Sequence, residues 1–427
     1  MSLAILVVVI LVLALFGMPL FVSILALAIS GFYFSDIDLS VIGIEIYRLT
    51  NTPLLLALPL FTFAGYILSH SNTSQRLVNL SRALLGWLPS ELVIVSLLTC
   101  ALFTAFTGAT GITIVALGAL LYPALKNNGY GKDFSLGLVT TSGSLGLLLP
   151  PSLPLILYAV ILQQMDLPQS VSINELFIAG IFPSLLMIAF ILMWSAWANR
   201  KIPKQIILFD KQEAISALKQ AGWEIPLPFI VLAGIYGGYL AISEAAAITA
   251  LYVLIIEIFI YKEIDMKILP DIAKESMLTV GGILLILAVS LALTNYLIDA
   301  EIPTALFEWV KLKIHSPITF LLFLNLFLLI LGAILDIFSA LVIIIPLIVP
   351  LAMGYGIDPI HLGIIFLANM QLGYFTPPVG MNLFIASYRF NKSITDIYKA
   401  TIPFFIVLFI AVLIITYWPA LSLVLVR

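Results

Sequence analysis

The chain carries the same helix interruption twice. The run Ser142–Pro151 (SGSLGLLLPP) is matched in the second half by Asn369–Pro378 (NMQLGYFTPP). Leu145 aligns with Leu372, Gly146 with Gly373, Pro150 with Pro377 and Pro151 with Pro378, at a constant offset of 227 positions (377 less 150). The same offset relates Pro123 to Pro350 and Gly129 to Gly356. Proline removes a backbone donor and clashes with the preceding turn, so each helix must open at its proline pair. Open backbone at membrane depth is tolerated only where it is buried in protein or lines a cavity. Paired Gly/Pro breaks at matching places in two apolar halves are the sequence mark of a secondary transporter's binding site.

The membrane setting follows from composition. Of the 427 residues, 62% are hydrophobic and 10% charged, against roughly 25% charged in soluble domains. Apolar runs of about 20 residues recur throughout, which predicts a polytopic helical protein in a lipid bilayer. A net charge of −3 points to no nucleic-acid partner. The single cysteine, Cys100, excludes an intramolecular disulfide and reads as a small buried hydrophobe. The N-terminus has no basic region and no small-residue cleavage site, so the first apolar run reads as a retained helix.

The halves share one order of elements. A pair of short spans (3–16 with 19–33; 225–240 with 243–261) precedes a single span (52–70; 277–299) and an amphipathic segment (73–88; 303–314). A long apolar stretch broken near its middle follows (91–126; 317–353), then the broken helix (133–163; 359–388) and a final span (174–198; 400–425). The repeats are thus 1–199 and 223–427, joined by a polar linker at 200–222. The amphipathic segments set Arg76 and Arg82, or Glu308, Lys311 and Lys313, among leucines and a tryptophan, and read as helices lying in the interface.

Charge assigns the sides. Arg389, Lys392 and Lys399 follow the second broken helix, whereas Gln163–Glu175 after the first holds Asp166 and Glu175 and no Lys or Arg. Positive-inside counting makes the former loop cytoplasmic and the latter external. Arg200, Lys201, Lys204, Lys211 and Lys219 place the linker inside, and Lys262, Lys267 and Lys274 place the next inside loop. The repeats are then inverted, and the two long broken stretches enter and leave on one side. The expected fold is an all-α polytopic membrane protein of inverted-topology repeats, with two re-entrant hairpins and two broken helices. Residues 3–33 read as two short spans; one span kinked at Gly17-Met18-Pro19 is the alternative.

Hairpin tips and helix breaks should converge near the midplane. The first hairpin turns at Thr107–Gly111, flanked by Thr104 and Thr113. The second turns between Gly332 and Ser339 and contains Asp336. A carboxylate this deep costs about 2.5–3.5 kcal/mol on insertion scales, offset by a sodium ion, by capping a helix N-terminus, or by both. The breaks add Thr140, Thr141, Ser142, Ser144 and Ser152, and Asn369, Gln371, Thr376 and Asn382. Broken-helix carbonyls, hydroxyls and carboxylates suit a hard cation, and half-helix N-termini suit an anion. Any single Ser or Thr more often bonds back to its own helix. Glu244 reads as a helix cap. His70, His315 and His361 are scattered, and the sequence holds no Walker P-loop and no nucleophile–base or His-Glu-x-x-His grouping, so neither ATP-driven transport nor an enzyme is indicated.

These motifs resemble the large membrane subunit of the tripartite ATP-independent periplasmic (TRAP) transporters. Gly234–Gly238 followed by Ser243–Ala247 is similar to that family's mid-chain motif, Thr376–Phe384 to its second helix break, and Phe103–Pro123 to its first hairpin. Ala241-Ile-Ser-Glu244 departs from the family's usual Thr-Pro-Thr-Glu. The resemblance covers essentially the whole chain. It implies a sodium-coupled, multi-pass importer of organic acids in a bacterial inner membrane, working by an elevator motion. It also implies a periplasmic substrate-binding protein and a separate small four-helix membrane subunit as partners. Motif position and oxygen chemistry together put one sodium site at Thr104, Thr107, Gly143, Gly146 and Pro151, and another at Asp336, Ser339, Gly373 and Thr376. Candidate substrate contacts are Thr110, Ser144, Ser152, Asn369, Gln371, Pro377 and Asn382. The run Thr107–Thr113 is more similar to sialic-acid members than to dicarboxylate members. The rival readings are a stand-alone sodium/carboxylate symporter, a C4-dicarboxylate TRAP subunit, a channel and an intramembrane enzyme.

Overall fold

The computed structural model describes residues 3–427 apart from 51, 89, 166, 168–170, 201–209 and 378. Lys201, Lys204, Asp166 and Pro378, used in the reading above, therefore lie outside the described residues. The described residues form helices and no strand. The first repeat contains α1 (Leu3–Leu15), α2 (Leu20–Phe34), α3 (Ser40–Thr50), α4 (Ala57–His70), α5 (Thr73–Leu85), α6 (Glu91–Thr107), α7 (Thr110–Asn127), α8 (Lys132–Ser142), α9 (Leu153–Gln163) and α10 (Ile173–Ala198). The linker supplies α11 (Lys211–Gln220). The second repeat contains α12 (Pro226–Tyr236), α13 (Ile242–Ile255), α14 (Leu269–Asp299), α15 (Ile302–Lys311), α16 (Pro317–Ile334), α17 (Ile337–Gly354), α18 (Pro359–Gly373), α19 (Met381–Phe390), α20 (Ile394–Tyr417) and α21 (Ala420–Leu423). Seven helical segments among the described residues are long and apolar enough to cross a membrane.

Packing between the halves occurs in swapped couples. Helix α2 packs on α14 while α13 packs on α4; α7 packs on α19 while α9 packs on α17; α8 packs on α20 while α10 packs on α18. Reciprocal contacts of this kind are what a two-fold rotation between the halves would produce. Ser144 and Gln371, repeat-equivalent by the 227-residue offset, meet near that axis: the Ser144 hydroxyl donates to the Gln371 carbonyl at 3.5 Å.

Several boundaries differ from the sequence reading. The predicted span 52–70 is preceded by α3, in a stretch the sequence reading leaves unassigned, and it opens with a 3-10 turn at Pro53–Leu56. Its counterpart is the continuous 31-residue α14. The cause is local: Pro53 and Pro59 in the first repeat are Val280 and Ile286 in the second, so nothing removes a ladder donor there. The last span runs over 394–417 and not 400–425, because Ser393 caps its start and Pro419 stops it. The 3–33 region is two helices packed on each other, separated at Gly17, whose φ of 99° is open to glycine. Glu244 caps α13, accepting from the Ala241 N–H at 2.8 Å.

The interfacial reading of Arg76 requires correction. Helices α5 and α15 form where expected, but Arg76 is buried among Glu224, Glu257 and Glu263. Burial works to raise the Glu263 carboxyl, but the Asn72 N–H and the Arg76 guanidinium hold it below the ordinary carboxylate value.

Two predictions follow from packing and charge. A Cβ on Gly373 would lie 2.5 Å from the Gly332 Cα, and one on Gly146 would lie 2.6 Å from the Ala105 nitrogen. Gly146→Ala and Gly373→Ala should each destabilise by about 1–3 kcal/mol. Gly281→Ala, which meets nothing within 4 Å, should be neutral or stabilising; thermal unfolding in detergent reads all three. Because the folded Glu263 carboxyl is depressed from its ordinary value of 4.5, its stabilisation is present above that pH and is lost as pH falls through the folded value. Unfolding midpoints should therefore fall on acidification more in the parent chain than in Glu263→Gln.

Candidate binding cavity

The first hairpin tip is a break between two helices. Helix α6 ends at Thr107, Gly108 takes φ 64° and donates its N–H to the Thr104 carbonyl at 2.7 Å, and α7 begins at Thr110. Position 109, the N-cap of α7, is alanine and offers no side-chain acceptor. The second tip is built alike, but the equivalent residue is Asp336. Its Oδ1 accepts from the Phe338 and Ser339 N–H groups, each at 3.0 Å, and its Oδ2 accepts from the Ser339 hydroxyl. Thus one tip holds a carboxylate and the other leaves a helix N-terminus uncapped by any side chain.

Each break rests on its own hairpin through glycine. Gly146 lies against Ala105, and Gly373 against Gly332; Ala105 and Gly332 are themselves equivalent by the 227-residue offset. The Thr104 hydroxyl donates to the Gly143 carbonyl at 2.8 Å and pairs with the Thr113 hydroxyl at 2.7 Å. Thr104, Gly143 and Gly146 are therefore brought together, with Thr113 as an addition. Thr107 instead donates to Phe103 on its own helix at 2.9 Å. Pro151 sits in the break itself, after a cis Pro150–Pro151 bond. In the second set Asp336 and Ser339 join, while Thr376 bonds back to the Leu372 carbonyl at 2.8 Å. The second break is tied to its hairpin by the Gly380 N–H on the Ala333 carbonyl (2.9 Å) and the Ile337 N–H on the Tyr374 hydroxyl (2.9 Å).

The predicted substrate contacts separate into groups. Thr110 donates to the Asn382 Oδ1 at 2.8 Å, joining the first tip to the second break, and the buried Asn382 Nδ2 has no protein partner. The Gln371 carboxamide is fully buried with both polar atoms unpartnered. Ser144 donates to the Thr141 carbonyl at 3.1 Å, and Ser152 caps α9, accepting from the Leu155 N–H at 3.4 Å and donating to the Leu147 carbonyl. Asn369 turns away from the other candidates. Its Nδ2 donates to Asn325 at 2.6 Å, and the same Asn325 oxygen accepts from Thr416 at 3.1 Å, so it serves a polar joint between α16, α18 and α20. Pro377 is exposed, and Pro378 lies outside the described residues.

A cavity of about 880 Å³ lies between the tips, the second break and helices α4 and α14. Thr107, Thr110 and Asp336 line it, together with Gly108–Ile112, Tyr374 and Met381. Sequence reasoning missed its opposite wall. There the Tyr66 hydroxyl pairs with the Thr279 hydroxyl at 2.8 Å, and His70 Nε2 stands 3.6 Å from a Glu275 oxygen. The 66/70 and 275/279 spacings place each polar pair on one helix face, and that was the available signal. The described lining holds the carboxylates Asp336 and Glu275 and the imidazole of His70, with no Lys or Arg. No group of three His, Cys, Asp or Glu residues suited to a metal occurs among the described residues. Any cation held here would rely on Asp336, hydroxyls and carbonyls, the hard donors that suit an alkali ion.

Comparison with known proteins bears on this arrangement. Residues 7–421 match the family described as the tripartite ATP-independent periplasmic transporter, DctM component. The chain is 33% identical to a C4-dicarboxylate TRAP transporter large permease protein of Rhodobacter capsulatus, over 96% of this chain and 95% of that one. It is 28% identical to the sialic acid TRAP transporter large permease protein of Vibrio cholerae, over 87% of this chain and 86% of that one. An isethionate TRAP transporter permease of Oleidesulfovibrio alaskensis is 34% identical over 86% of this chain and 57% of its own length. In fold, the chain is similar to the crystal structure of the Alcanivorax borkumensis YdaH transporter, with a TM-score of 0.64 at 14% identity over 90% of this chain and 88% of that one.

The Thr110–Asn382 bond gives a direct test of the joint. Thr110→Val should destabilise by about 1–3 kcal/mol, because it strands a buried carboxamide. The double variant Thr110→Val/Asn382→Leu should cost less than the sum of the singles in a thermal-unfolding cycle.

Proposed function

This chain belongs to the DctM-component family of tripartite ATP-independent periplasmic transporters, and from that premise we propose that it couples sodium entry to import of an organic acid. It is a multi-pass membrane permease and not an enzyme. The observation that carries the coupling is the difference between equivalent tip positions: Asp336 on one hairpin, Ala109 on the other. The carboxylate favours a cation beside α17. The uncapped N-terminus of α7, whose residues 110–112 line the cavity, favours an anion. Thr110 and the unpartnered Asn382 amide supply further donors to the anion. With no Lys or Arg in the described lining, a carboxylate depends on these dipoles and on the sodium charge nearby.

The substrate arrives from a periplasmic binding protein, and a small membrane subunit completes the permease in the bacterial inner membrane. Sialic acid is the first substrate to test, on the likeness of Thr107–Thr113 to sialic-acid members; a C4-dicarboxylate is the second, on the names of relatives such as that of R. capsulatus. The hairpins and broken helices travel as a block against a frame of α1–α4 and α12–α14. The cavity lies between the two bodies, and His70 and Glu275 sit at the frame ends beside the Lys262–Lys274 loop, which positive-inside counting places in the cytoplasm. By this reading the arrangement is an inward-facing state.

Ala109→Asp is the sharpest variant. It would cap α7 and set a negative charge where the anion is expected. Uptake of labelled N-acetylneuraminate and of succinate into proteoliposomes, with both partners and an inward sodium gradient, should be lost while the unfolding midpoint is kept or raised. Asp336→Asn should abolish the sodium dependence of uptake. Unchanged uptake in Ala109→Asp would remove the α7 terminus from the anion site, and uptake without a binding protein would favour a stand-alone symporter.

A further inference from the structure

The two amphipathic helices occupy equivalent places and each packs on the hairpin of its own repeat, yet only α5 carries a charged tie to the frame. Arg76 of α5 is 8% exposed. Its guanidinium reaches Glu224 at 2.6 Å, Glu257 at 3.1 Å and Glu263 at 2.5 Å, and lies 3.9 Å from the centre of the Tyr261 ring. Glu224 precedes α12, Glu257 follows α13, and Glu263 is in the next loop. All three belong to the frame. Adjoining bonds reinforce the joint. Thr73 donates its hydroxyl to Glu224 at 2.7 Å, and the Asn72 N–H donates to Glu263 at 2.7 Å. Leu80 packs on Ala217 and Ala221 at the linker helix; the apolar packing of α5 is otherwise chiefly on α6 of the first hairpin, so its tie to the frame is the ion cluster. Removing one partner of a buried ion cluster leaves uncompensated charge, so such a cluster enforces one relative placement.

Among the described residues, helix α15 makes no such ion cluster. The repeat-equivalent of Arg76 is Pro303. Phe307 of α15 lies on Gly354 at the end of α17 and meets the Tyr355 ring edge-on at 5.6 Å. Helix α15 therefore rests chiefly on the second hairpin. Glu301, just before it, takes φ 52°, a left-handed turn between α14 and α15.

We propose that Arg76 is a positioning residue of the transport cycle: it fixes α5 in the frame, so the first hairpin swings about the junction after Leu85, whereas α15 travels with the second hairpin and swings about Glu301. This inference rests on the moving-block reading above. It makes the two amphipathic helices unequal: α5 is held to the frame by charge, and α15 is carried with the second hairpin by apolar contacts.

Spin-label distances test it, in the full chain with its small subunit in nanodiscs and with buried Cys100 replaced by alanine. Three pairs suffice: Asn79 with Lys262 (α5 to frame), Glu308 with Leu278 (α15 to frame), and Tyr388 with Met277 (block to frame). Each is measured in sodium chloride and in choline chloride. The expected result is a narrow, unchanged Asn79–Lys262 distance, while the Glu308–Leu278 distance shifts together with Tyr388–Met277. Arg76→Met should broaden the Asn79–Lys262 distribution and Arg76→Lys should largely restore it; if Arg76→Met does not fold, the three distances in the parent chain decide. An Asn79–Lys262 shift as large as that of Glu308–Leu278, or an unaltered distribution in Arg76→Met, would overturn the proposal. A Tyr388–Met277 distance fixed in both salts would sink the moving-block reading, and this inference with it.

Discussion

Everything in this structure depends on keeping opened backbone out of lipid. Two apolar helices are interrupted inside the protein, and each interruption leaves peptide groups that no helix satisfies. In a bilayer those groups must be buried against protein or face a water-filled cavity. Glycine contacts bury them: Gly146 lies against Ala105 and Gly373 against Gly332, close enough that no Cβ fits. Each broken helix is thereby locked to the hairpin of its own repeat, and swapped packing then interlocks the repeats. The candidate cavity lies beside the second of these breaks, at Tyr374 and Met381, and between the two hairpin tips.

The two halves repeat one order of elements, and the proposed chemistry rests on where they differ. A symmetric pair of tips would bind two like ligands. Here the equivalent positions are Ala109 and Asp336, so one tip offers N–H groups and the other a carboxylate. The frame departs from symmetry as well. Pro53 and Pro59 break the first long span, whereas Val280 and Ile286 let α14 run on. Arg76 ties one amphipathic helix to the frame by charge, and its equivalent Pro303 cannot. In each case a single side chain decides whether a repeated element is fixed, bent or charged.

Much of this was legible in the sequence, for identifiable reasons. Gly, Pro and Asp change backbone behaviour strongly enough to show through any apolar run, so the helix breaks and hairpin tips could be placed within a few residues. The capping role of Glu244 was visible from its spacing. Helix α3 went unassigned because Glu45 and Arg48 interrupt its apolar run. The cavity wall formed by Tyr66, His70, Glu275 and Thr279 was hidden because its partners lie about 200 residues apart in the chain, and no local pattern brings them together. Asn369 misled for the opposite reason: it lies beside the break in sequence, but the helix turns it toward Asn325 and Thr416. Arg76 read as a headgroup contact because its three carboxylates arrive from the other half.

The central claim is that one hairpin tip takes a cation and the other an anion within one cavity. The most direct measurement is radiolabelled sodium influx into proteoliposomes containing the complete transporter, driven by an inward gradient of the transported organic acid. The account predicts sodium entry that requires the acid and its binding protein, and that Asp336→Asn removes without unfolding the protein. Sodium-independent movement of the acid, or acid-driven sodium influx undiminished in Asp336→Asn, would contradict it.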